Sequence, residues 1–106
     1  MSERPWLNNY DEGVPQHIEY PDIPLYELLS IAAKKYPDSA CTIFKGAQIT
    51  FQEMDALTDR LAAGLASIGV KKGDQVGIFM PNTPQFVMAY FAVLKLGGIV
   101  VATNPL

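Results

Sequence analysis

The chain has 106 residues, 49% hydrophobic and 18% charged, proportions that exclude wholesale disorder. Eight basic against eleven acidic side chains give a net charge of −3, which argues against nucleic acid held by bulk charge. The single cysteine, Cys41, excludes an internal disulfide framework.

The charge is uneven along the chain. Residues 1–23 carry Glu3, Asp11, Glu12, Glu19 and Asp22 against Arg4, a net of −4, whereas residues 24–106 hold six acids against seven bases. The first segment also holds Pro5, Pro15 and Pro21 and has no apolar period, so it is expected to be an extended acidic arm. Trp6, Tyr10 and Tyr20 either pin the arm to a surface or belong to a frayed terminus.

From Pro24 onward the chain is well punctuated. Leu25, Leu28, Leu29, Ala32 and Tyr36 form a helical stripe, predicting a helix over Pro24–Lys35 that opens on its proline and stops before Pro37. Cys41–Phe44 and Ala47–Thr50 are β-prone runs around Lys45-Gly46, a short hairpin. Thr50-Phe-Gln-Glu53 matches a capping box, with Ile49 and Met54 at the staple positions. Met54, Leu57, Leu61, Leu65 and Ile68 continue at helical spacing, and Gly69 sits at the expected left-handed end, predicting a helix over Phe51–Ile68.

Val76–Met80 is apolar on both faces, as a strand buried between two layers must be. Asn82-Thr83-Pro84 opens a helix over Gln85–Leu96 that is apolar nearly all round, and Gly97-Gly98 ends it. Ile99–Ala102 is a second two-faced strand, completing a parallel βαβ unit. The class is α/β. Two strands and a hairpin cannot cover such a helix, so the chain is expected to be part of a larger α/β protein.

The signatures of reactive chemistry fail one by one. Gly64-Leu-Ala-Ser-Ile-Gly69 has the gap of a phosphate loop, but Val70 stands where Lys is needed. Gly69, Gly73 and Gly77 precede a strand, unlike a dinucleotide-binding turn. Lys71-Lys72-Gly73-Asp74 is a solvated turn. His17 has no second histidine or cysteine partner for a metal set or dyad, and Cys41 is expected to be a small buried hydrophobe. Asp55 and Asp59 share an exposed helix face and are expected to be offset by Arg60. No catalytic, cofactor-binding or metal-binding residue is assigned. The longest apolar stretch, Phe86–Val101, is interrupted by Lys95 and Gly97-Gly98, and a membrane helix needs about 20 residues. MSERPWLNNY lacks the apolar run of a signal peptide. A soluble chain of the reducing cytoplasm is expected, with no transmembrane segment.

The run GDQVGIFMPNTPQFVMAYFAVLKLGGIVVATNPL, Gly73–Leu106, resembles the N-terminal part of adenylate-forming (AMP-binding) acyl-CoA synthetases. ITFQEMDALTDRLAAGLASIGVKKGD, Ile49–Asp74, is similar to their first core motif, Leu-Thr-Tyr-x-Glu-Leu, with Ile49, Phe51 and Met54 as conservative departures. Leu94-Lys95-Leu96-Gly97-Gly98 resembles the second, with Leu96 where Ala is commoner. Asn104-Pro105-Leu106 is similar to the long-chain fatty-acid–CoA ligases more than to peptide-synthetase domains, which usually carry Pro-x-Asp.

The resemblance implies an incomplete N-terminal portion of the large domain of such a synthetase. The full-length parent would use ATP, Mg²⁺ and coenzyme A to convert a fatty acid through its adenylate into a thioester. The family's Ser/Thr/Gly-rich loop ending in Pro-Lys, its ribose-binding Asp and its catalytic Lys have no counterpart before Leu106. The chain alone is therefore expected to be inactive, to need no cofactor and to self-associate. Two other classes stay open: an autonomous α/β interaction module without enzymatic activity, and a nucleotide-binding regulatory domain.

Overall fold

A computed structural model describes residues 4–105; Glu3 of the acidic arm and Leu106 of the terminal motif lie outside the described residues. The order is a 3-10 turn at Pro5–Asn9, then α1 (Glu27–Lys35), β1 (Ala40–Phe44), β2 (Ala47–Thr50), α2 (Phe51–Ser67), β3 (Gln75–Phe79), α3 (Pro84–Lys95) and β4 (Ile99–Thr103).

Two of these differ from expectation. The arm is not extended throughout, because Pro5 starts a 3-10 turn in which the Leu7 N–H donates to the Arg4 carbonyl at 3.1 Å. Helix α1 begins three residues after Pro24. The Glu27 and Leu28 N–H groups donate to the carbonyls of Pro24 and Leu25 at 3.0 and 3.1 Å, so a tighter turn leads into the helix. Leu29 is the buried member of its stripe, while Leu25, Leu28 and Tyr36 stay exposed.

β1 and β2 pair antiparallel with Phe44 opposite Ala47, and the register slips at Cys41, between Ala40 and Thr42. Lys45 (φ 50°) and Gly46 (φ 81°) both lie in the left-handed region, the two-residue geometry that follows the twist of the flanking strands. β3 and β4 pair parallel, with Gln75 opposite Ile99 and Phe79 opposite Thr103. Both two-stranded sheets carry the class read from the sequence.

Helix α3 links both sheets to α2: it packs along β3 and β4, against α2, and near β1. Among the described residues, the buried apolar side chains are Leu29, Met54, Ala62, Ile78, Ala92 and Val93. Phe86, Val87, Met88, Tyr90, Phe91 and Leu94 of α3 are each half-buried, and the Phe86–Tyr90 and Tyr90–Phe91 ring centroids lie 6.1 and 5.9 Å apart. The surface left open is instead the far face of the strand pair, where Phe79, Ile99 and Val101 are exposed. The Cα radius of gyration is 17.4 Å, against about 13 Å for a compact domain near 100 residues.

Candidate functional site

The capping-box residues do cap α2, in a modified form. The Glu53 N–H donates to Thr50 Oγ1 at 3.1 Å, and the same hydroxyl donates to Glu53 Oε1 at 3.0 Å. The Glu53 carboxylate thus meets the threonine hydroxyl, where the usual box reaches the cap's backbone N–H. The loop before β1 supplies two further acceptors. The Phe51 N–H donates to the Ser39 carbonyl at 3.0 Å and the Gln52 N–H to the Pro37 carbonyl at 3.3 Å. The first three amides of α2 are thereby satisfied by the chain itself, which removes the helix end as an anion cradle.

Both long helices end in the same way. The Val70 N–H donates to the Leu65 carbonyl and the Gly69 N–H to the Ala66 carbonyl, each at 3.1 Å. The Gly98 N–H reaches the Val93 carbonyl at 3.0 Å and the Gly97 N–H the Leu94 carbonyl at 2.9 Å. Each pair is a Schellman motif, closed by Gly69 at φ 105° and Gly97 at φ 75°.

The second motif is tied to the Lys71–Asp74 turn. The Asp74 N–H donates to the Lys71 carbonyl at 3.1 Å, and the Lys71 N–H donates to Asp74 Oδ2 at 2.9 Å. The Gly73 N–H then reaches the Gly97 carbonyl at 2.9 Å, and the Ile99 N–H the Asp74 carbonyl at 2.8 Å. Gly98 is packed too closely for any side chain: a Cβ there would lie 2.8 Å from Val93 Cγ1 and 3.3 Å from the Asp74 carbonyl. The two glycine-bearing turns therefore start β3 and β4 in register. They are structural devices.

The charged residues follow the same logic. Lys95 Nζ stands 2.8 Å from Asp55 Oδ1 and 2.5 Å from Asp59 Oδ1. The expectation that Arg60 offsets these acids is corrected: the cation bridging them comes from α3, 36 to 40 positions away. Burial draws the Lys95 ammonium down, but hydrogen bonds and charge from Asp55 and Asp59 outweigh it and leave the pKa above its usual 10.5. Cys41 is half-buried and its thiol is pushed up by burial, the opposite of an activated nucleophile. His17 is exposed on the arm.

An open cleft of about 520 Å³ lies at the carboxyl ends of β3 and β4, lined by Met80, Asn82, Phe86, Thr103 and Asn104 among others. It carries no charged side chain. No group of three or more His, Cys, Asp or Glu side chains able to hold a metal occurs among the described residues. Asp55 and Asp59 face Lys95 and the first α2 amides are taken by the chain itself, so neither offers a site for a nucleotide or Mg²⁺. No helix among the described residues is long and apolar enough to cross a membrane.

The arrangement defines an α/β unit with the N-terminal architecture of adenylate-forming enzymes, its motifs spent on helix ends and strand register. Residues 29–106 match the AMP-binding enzyme family, and the chain belongs to that family. A long-chain-fatty-acid–CoA ligase of Bacillus subtilis is 43% identical over 108 aligned residues, covering 100% of this chain and 19% of the relative. A solved long-chain-fatty-acid-CoA ligase of Archaeoglobus fulgidus superposes with TM-score 0.80 at 30% identity, covering 91% of this chain and 21% of that one. The N-terminal subdomain of Klebsiella oxytoca NpsA gives TM-score 0.74 at 27% identity, over 76% of this chain and 21% of the subdomain. The chain thus spans about a fifth of the length of the relatives it matches.

Proposed function

We propose that this chain is the N-terminal α/β part of an ATP-dependent fatty-acid–CoA ligase. The observation that carries the reading is 43% identity over the whole chain with a long-chain-fatty-acid–CoA ligase. The Asn104-Pro105-Leu106 ending, which resembles the same ligases, supports it.

In the reaction, a fatty-acid carboxylate oxygen attacks the α-phosphorus of ATP, a P–O bond breaks and pyrophosphate leaves. The thiol of coenzyme A then attacks the acyl carbon, a C–S bond forms and AMP departs with the C–O electron pair. Adenylation is needed because a free carboxylate is a poor electrophile. Mg²⁺ neutralises phosphate charge in such steps.

No residue of this chain is assigned to the reacting atoms. Its part is to hold β3 and β4 in register beneath α3, through the Lys71–Asp74 and Leu94–Gly98 turns. We place the reaction in the cytoplasm, a setting supported by the single unpaired Cys41. The test is product analysis on the ligase-length protein that carries this segment. With fatty acid, ATP and coenzyme A it should yield acyl-CoA and AMP in equal amounts. Adenylate formation without thioester on coenzyme A would overturn the ligase reading.

A further inference from the structure

We draw no further inference here: the strongest candidate, the uncharged cleft of about 340 Å³ between the β1–β2 hairpin and the start of α3, where Thr42 Oγ1 is buried without a hydrogen-bond partner among the described residues, carries nothing because the chain spans only about a fifth of the length of its relatives and nothing in the structure shows what covers it.

Discussion

Lys95, at the end of α3, holds its ammonium 2.8 Å from the Asp55 carboxylate of α2. Asp59, one turn further along α2, takes a second contact from the same nitrogen. Asp55 is 26% exposed, against 64% for Asp59, so the Asp55 contact is the better shielded of the two. Removing the cation leaves two carboxylates four residues apart on one helix, an unfavourable pairing. Lys95→Met is expected to destabilise the chain by about 1 kcal/mol, between an exposed ion pair and a charge-assisted hydrogen bond. Urea midpoints check this, and adding Asp55→Asn to Lys95→Met should cost less than the two changes separately.

The pH dependence follows from the same contact. The folded-state pKa of Lys95 lies above its usual 10.5. Its contribution is therefore complete below pH 10.5 and is lost as pH rises through the folded pKa. Thermal melts of the parent chain and Lys95→Met should run in parallel at neutral pH and converge in strong alkali. A constant difference between them up to the alkaline limit would contradict the ion-pair account.

At the other end of α2, Thr50→Ala should lose about 1 kcal/mol, the usual worth of an N-cap. Thr50→Ser should be within about 0.5 kcal/mol of the parent, since it keeps the hydroxyl. Aspartate is ordinarily as good a cap, but here Thr50 Oγ1 donates to Glu53 Oε1 at 3.0 Å. Thr50→Asp would set two carboxylates against each other, and adding Glu53→Gln should recover the loss. Denaturant midpoints of the four variants decide between capping and packing.

Gly98→Ala should destabilise by about 1–3 kcal/mol, the range for overpacking. Its new methyl would lie 2.8 Å from Val93 Cγ1, and Val93 is 1% exposed and branched at Cβ. Gly64→Ala is the control. Nothing lies within 4 Å of a Cβ there, and replacing a helix-interior glycine gains up to about 1 kcal/mol. Comparable destabilisation by both would disprove the packing argument.

Much of this was legible in the sequence because it is local. The Thr50 cap, the glycines after α2 and α3 and the hairpin at Lys45-Gly46 each depend on residues within six positions of one another. The Lys95 bridge was not, since it joins positions 36 to 40 apart and Arg60 stood closer in sequence. The apolar girdle of α3 signalled that much of this chain needs covering. It did not show that α2 and the strands leave α3 half-buried and open the far side of the strand pair instead. Helix α1 begins late because the first turn after Pro24 closes with i→i+3 bonds, which an apolar stripe does not distinguish from α-helical ones.

The open face bears on behaviour in isolation. Phe79 is 69% exposed and Ile99 50%, and among the described residues β3 pairs with no strand but β4. Residues 1–106 alone should self-associate or bind apolar dyes. Light scattering behind gel filtration, with a dye titration, measures it. A sharp-melting, dye-silent monomer at high micromolar concentration would argue for an autonomous module.

We propose that this chain builds part of a ligase and carries none of its chemistry. Fatty-acid-dependent exchange of labelled pyrophosphate into ATP tests it directly, run on residues 1–106 and on the ligase-length protein that carries them. Exchange in the longer protein alone is the predicted result. Exchange catalysed by residues 1–106 alone would contradict it.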